Sequence, residues 1–137
     1  MPKKTSLPAL SHRSDCPTSS FLDLLGDRWT LLVMRDLLMK NRTHYSELAG
    51  SREKIPTNIL ADRLVKLEAA GLITKEPYQE RPVRYEYKPT AAGIDLLDVI
   101  SAVAQWSNAH LPETKQMPPA KYRVAKKDWQ KRLVSEK

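Results

Sequence analysis

The stretch that decides the fold reads TNILADRLVKLEAAGL, from Thr57 to Leu72. Leu60, Leu64 and Leu67 recur at i, i+4 and i+7, which lays one apolar stripe along a helix, while Asn58, Ala61, Asp62, Val65 and Lys66 fall off that stripe. Gly71 stops the helix. Such an element buries one side and leaves the other, more polar side outward. Just upstream, Ser46 followed by Glu47 and Leu48 reads as the capped start of a short helix ending around Gly50 to Arg52, and Lys54-Ile55-Pro56 makes a turn. Glu47 to Ala70 therefore has the length of a helix pair with its connecting turn.

Working outward, the chain before this pair holds Phe21, Leu22, Leu24 and Leu25 in a short apolar helix closed by Gly26, with Asp27 placed to cap a second helix from about Arg28 to Met39. That second helix is apolar almost all round, through Trp29, Leu31, Leu32, Val33, Met34, Leu37 and Leu38, so it belongs at the centre of the core. After the pair, Leu72 to Glu76 and Val83 to Lys88 are β-prone, and the polar, proline-flanked run Pro77 to Pro82 is expected to be their loop. Thr90 then caps a long helix bearing Ile94, Leu96, Leu97, Val99, Ile100, Val103 and Trp106 and reaching about His110. Helix, helix, short helix, turn, amphipathic helix and hairpin is the order of a winged helix-turn-helix, a mainly α (α+β) fold with a two-stranded wing. In that motif the second helix of the pair enters the major groove of DNA, about 12 Å wide.

Length and composition narrow the alternatives. The 137 residues suit one domain with short tails. No uncharged apolar run approaches the roughly 20 residues of a membrane-spanning helix, and Met1 to Pro8 has no secretory apolar stretch behind its basic start, so a cytoplasmic location without membrane association is expected. The net charge of +7 suits a polyanionic partner. Residues 113–137 hold eight Lys and Arg against three Asp and Glu, leaving only +2 elsewhere, which places most of the excess outside the expected globular part. The chain divides accordingly into a flexible arm over residues 1–15, a domain over 16–111 and a basic extension over 112–137. His12, His44 and His110 are scattered and Cys16 is the single cysteine, so neither a metal site nor an internal disulfide is expected. No phosphate loop, nucleophile elbow or paired-carboxylate motif supports an enzyme or a cofactor site.

Cys16-Pro17, Leu24-Leu25-Gly26-Asp27-Arg28-Trp29-Thr30, Leu37-Leu38, Tyr45-Ser46-Glu47-Leu48, Ile59-Leu60-Ala61-Asp62-Arg63-Leu64, Leu67-Glu68-Ala69-Ala70-Gly71-Leu72, Arg84-Tyr85-Glu86-Tyr87, Thr90 and Gly93 together resemble the HxlR family of bacterial transcriptional regulators, relatives of the MarR type. The resemblance covers about residues 16 to 110. It implies a dimeric winged-helix DNA binder whose first and last helices form the dimer interface. Pro89 departs from the pattern, standing where an apolar residue is usual, and the basic extension lies beyond the common core.

Thr57, Asn58, Ala61 and Lys66 are the candidates for groove-facing positions, because the start of a recognition helix reaches base edges and Asn pairs bidentately with adenine. Thr57 has a second reading as a helix cap. Arg63 belongs by resemblance to the recognition-helix motif, with an alternative role bracing the domain through Glu68 or a wing carboxylate; Asp62 would repel phosphate and reads as an intradomain partner. Arg81 and Arg84 lie at and after the wing tip, where arginine enters the minor groove or clamps phosphate. Arg42, Arg52 and Lys54 are generic phosphate candidates.

The last long helix and the 17–25 segment carry more apolar surface than one small domain covers, which predicts a homodimer on a pseudo-palindrome with half-sites about one helical turn, 10 to 10.5 base pairs, or a multiple apart. Cys16, at the start of the first helix with Arg13 nearby, resembles a position that senses oxidants or electrophiles in members of the family; its plainer reading is small apolar filler under the dimer interface. A small-molecule or electrophile effector follows from the sensing reading. The rival function is a nonspecific basic nucleic-acid-binding protein carried by the extension, and a third is a winged helix used only for protein contacts.

Overall fold

The computed structural model describes Leu7 and residues 13–135; most of the expected N-terminal arm lies outside the described residues. The elements are α1 (Pro17–Leu25), α2 (Thr30–Lys40), α3 (Tyr45–Leu48), α4 (Thr57–Ala69), β1 (Ile73–Glu80), β2 (Val83–Pro89), α5 (Ala91–His110) and α6 (Pro119–Ser135). The fold is mostly helical with one two-stranded antiparallel sheet, the winged helix-turn-helix order read from the sequence.

Helix α2 is the hub: Val33, Met34, Leu37 and Leu38 are buried, and α4, α5, α6 and β2 all pack on it. Its start is set by Asp27, whose carboxylate accepts the amides of Trp29 (3.0 Å) and Thr30 (3.2 Å) as well as the Thr30 hydroxyl. The regular helix therefore begins at Thr30, after a turn over Arg28 and Trp29. Helix α4 buries Leu60, Leu64 and Leu67, the stripe read from the sequence. It ends in a Schellman arrangement, Leu72 N–H to Leu67 O at 3.0 Å and Gly71 N–H to Glu68 O at 3.0 Å, with Gly71 at φ 83° where a side chain would be strained.

Two local expectations change. Helix α3 is capped from His44, not Ser46: Glu47 reaches back to accept the His44 amide at 3.0 Å, which leaves Ser46 inside the turn. The wing is longer than expected, because β1 continues through Pro77 to Glu80 and only Arg81 and Pro82 turn the chain. Pro77 is tolerated since a two-stranded sheet has only edge strands, and a bulge between Pro77 and Gln79 leaves Tyr78 out of the register. Pro89 closes β2 opposite Ile73 and is buried, directly before Thr90, which caps α5 by accepting the Gly93 amide at 3.2 Å. Gly93 is required there: a Cβ would collide with the Leu72 carbonyl oxygen.

The largest difference concerns the basic extension. Residues 119–135 form α6, packed along α5 and onto α2, with Tyr122 and Trp129 buried. The Trp129 indole N–H donates to the Leu38 carbonyl at 2.8 Å, and Arg132 donates to the Asn41 side chain at 2.9 Å while lying over the Trp129 ring. Lys126 pairs with Asp98 at 2.7 Å and Asp95 at 3.7 Å. The excess positive charge thus sits on a folded part of the core rather than outside it.

Candidate nucleic-acid interface

Pro56 occupies the position before α4, and no side chain caps this helix end, so Thr57 stands as the first helical residue and not as the cap. Its carbonyl accepts the Tyr45 hydroxyl at 3.1 Å, which ties the start of α4 to α3. Thr57, Asn58, Ala61 and Val65 are exposed along one side of α4, opposite the buried leucines. Among the described residues the Asn58 side chain has no hydrogen-bond partner, leaving its amide able to meet a base edge.

Arg63 and Lys66 are placed differently. The Arg63 guanidinium turns away from that side, donating through Nε to Asp27 at 2.9 Å and pairing through Nη1 with Asp62. Burial alone would raise the Asp27 carboxyl, but hydrogen bonds from Arg63, Thr30 and the Trp29 amide outweigh it and hold the group well below the usual carboxylate range. Arg63 thereby fastens the middle of α4 to the start of α2, a brace whose partner is neither Glu68 nor a wing carboxylate. Lys66 is exposed and pairs with Asp62 one turn back at 3.2 Å, so Asp62 is the intradomain partner of both cations.

Arg81 and Arg84 project from the wing, exposed and without a carboxylate partner among the described residues. Arg52 and Lys54 are exposed in the turn before α4, Lys54 at φ 61°. Arg42 is not available in the same way, because its guanidinium donates to the carbonyls of Glu47 (3.0 Å) and Gly50 (2.7 Å) and closes the end of α3.

Between α3 and the wing lies a cleft of about 350 Å³ lined by Tyr45, Ser46, Tyr78, Val83, Arg84, Tyr85 and Tyr87. In the sequence Tyr45, Tyr85 and Tyr87 stand only within the family-like motifs, and none of the four tyrosines carries a site role there. Alternation along Arg84-Tyr85-Glu86-Tyr87 puts Tyr85 and Tyr87 on one strand face, but nothing local says that Tyr45 faces them. The segment ahead of α3 joins β2 through Tyr87 N–H to Thr43 O at 2.7 Å, and that pairing assembles the cleft.

Cys16 is the exposed residue just before α1, and the amides of Ser19 and Thr18 hold its thiol below the ordinary value. The thiol is exposed in the single chain, so the reading of it as filler under a dimer interface requires a second copy to cover it. Arg13 does not assist it, being held by Asp23 at 2.7 Å. Leu22 on α1 and Val103 and Trp106 on α5 are exposed, Trp106 at 61%.

Comparison with known proteins agrees with this architecture. The model of the HxlR-like helix-turn-helix family matches residues 24–115. An uncharacterized HTH-type transcriptional regulator of Mycobacterium tuberculosis is 38% identical over 115 residues, covering 83% of this chain and 71% of that protein. Among solved structures, a transcriptional regulator of the MarR family from Porphyromonas gingivalis superposes with a TM-score of 0.63 at 30% identity, covering 75% of this chain and 99% of the other. The reduced form of the transcriptional regulator YodB from Bacillus subtilis gives 0.59 at 27% identity, covering 74% and 100%; its diamide-treated form is also similar, with a TM-score of 0.53 at 29% identity over 69% and 94%. With the helix pair, the wing and the family match spanning the same residues, the chain belongs to the HxlR-like helix-turn-helix family of transcriptional regulators.

Proposed function

We propose that this regulator acts as a homodimer on a pseudo-palindromic operator, each α4 reading one half-site and each wing gripping the flank. The observation that carries the reading is the open side of α4, where Thr57, Asn58 and Ala61 lie exposed beside a wing whose Arg81 and Arg84 have no carboxylate partner among the described residues. Asn58 reads a base, Thr57 and Ala61 shape the approach to the groove, and Lys66, Arg52, Lys54, Arg81 and Arg84 meet phosphates. Arg63 holds α4 in place through Asp27 and does not itself touch DNA. Exposed Leu22, Val103 and Trp106 supply the apolar dimer face that α1 and α5 share.

Packing of α6 on the core argues against the rival reading of a free basic tail that binds nucleic acid without sequence preference. Footprinting on the promoter region with competition at fixed salt tests the proposal. A dyad-symmetric footprint and a specific-to-nonspecific ratio of roughly 10³ or more are expected. Equal affinity for unrelated duplexes refutes it.

Cys16 is the proposed effector site for oxidants or electrophiles, supported by its exposure and lowered pKa and by the likeness to YodB, a protein solved both reduced and diamide-treated. With diamide, two Cys16 thiols of a dimer lose two protons and two electrons to form one disulfide, and diamide is reduced to the corresponding hydrazine.

A further inference from the structure

We propose that the tyrosine-lined cleft between α3 and the wing seats one sugar–phosphate unit of the operator backbone, with the rings against the deoxyribose and Ser46 and Arg84 on the phosphate. This rests on the DNA-binding reading and adds to it a specific seat. Position comes first. One rim of the cleft is Tyr45, whose hydroxyl donates to the carbonyl of Thr57 at the start of α4, and the other is Arg84 on the wing. A strand passing from the groove-reading helix to the wing crosses it.

Chemistry comes second. The walls are phenol rings and Val83, which suit the C–H surface of a sugar, and no carboxylate lines the cleft to repel an anion. A single guanidinium matches a single phosphate charge, and the Ser46 hydroxyl, exposed and without a partner among the described residues, adds an uncharged donor. A site for several phosphates needs more cations than this, and a cation site needs an acid. The volume of about 350 Å³ lies at the lower end of the range for sites that hold small organic groups.

Two rings are braced from outside. His44 stacks on Tyr78 at 4.2 Å between centroids and 11° between planes, and Lys75 Nζ lies 4.5 Å from the centroid of the Tyr85 ring. Burial raises the Tyr87 pKa, as do Glu68, Tyr45 and Tyr85, so this phenol stays a neutral O–H donor at physiological pH. The cleft is therefore shaped before DNA arrives, which limits the ordering cost of contact.

A methylphosphonate scan tests the seat, replacing one charged backbone linkage at a time in the footprinted operator and measuring affinity for wild type, Ser46→Ala and Arg84→Ala. Wild type is expected to lose roughly 3- to 10-fold at one linkage per half-site through the seat. Ser46→Ala, which breaks no side-chain hydrogen bond among the described residues, lowers affinity for the unmodified operator and shrinks the loss at that linkage in part, Arg84→Ala shrinks it to under about 2-fold, and both leave the other linkages as in wild type. The same cycle with Tyr85→Leu, its folding checked by thermal melting, reports on the sugar wall. A wild-type pattern of losses retained at every linkage in all three variants overturns the seat while leaving the DNA reading intact. Absence of any operator footprint overturns the DNA reading and the seat with it.

Discussion

Replacing Trp129 by alanine asks whether α6 is part of the folded unit. The indole is 6% exposed between α6 and α2, so truncation opens a large cavity, and changes of this kind cost about 3 to 5 kcal/mol. The lost N–H also leaves the Leu38 carbonyl without the donor now 2.8 Å away, adding about 1 kcal/mol if water reaches it and more if not. Arg132 loses the ring under its guanidinium, a minor effect at an exposed site. A total near 4 to 6 kcal/mol is comparable with the whole stability of many domains, and the melting temperature should fall by more than about 10 °C. Trp129→Phe keeps most of the packed volume and removes the donor with a smaller part of the ring, so its cost should be about 1 to 2 kcal/mol. Urea unfolding followed by circular dichroism measures both. A loss below about 1 kcal/mol for Trp129→Ala would refute the reasoning and return residues 119–135 to the status of a loose tail, and equal losses in the two variants would refute the division between packing and hydrogen bond.

Asn58→Ala should cost about 1 to 3 kcal/mol at the operator and relax one base position, whereas Arg81→Ala or Arg84→Ala should weaken all sequences and flatten the salt slope by about 1 each, as read by fluorescence anisotropy across a salt series. The hydrogen bonds from Arg35 hold the Glu53 carboxyl at about 2, against an ordinary 4.5. A carboxylate depressed on folding adds stability above its unfolded pKa and loses it as pH falls through the folded one. Glu53→Gln should thus cost about 1 kcal/mol at pH 7, discounted for the exposure of the pair, with the difference closing between about pH 5 and pH 2 in urea melts. Trp106→Glu, placing a charge on the exposed face of α5, should convert a dimer to monomer in sedimentation at micromolar concentration without lowering the melting temperature of the isolated domain. Diamide should change operator affinity in wild type and leave Cys16→Ser unaffected; equal responses would remove the thiol switch.

What the sequence alone determined is whatever depends on neighbours a few residues apart. The Leu60, Leu64 and Leu67 stripe, the stop at Gly71, the Asp27 and Thr90 caps and the apolar girth of α2 are local, because helix periodicity and capping act within one or two turns. Tertiary structure decided the rest. The polar run Pro77 to Glu80 becomes strand only because β2 is there to pair with it. Arg63 lies among the candidate groove-facing residues in sequence and is drawn off by Asp27, 36 residues away, since an ion pair forms wherever the packing of α4 on α2 brings the two groups together. The tyrosine cleft needs three separate segments to meet, and the partner of the Trp129 indole, a carbonyl 91 residues earlier in the last turns of α2, is met only because α6 packs there. Local periodicity says which side of an element is apolar; only the assembled core says what that side, and each charge beside it, will touch.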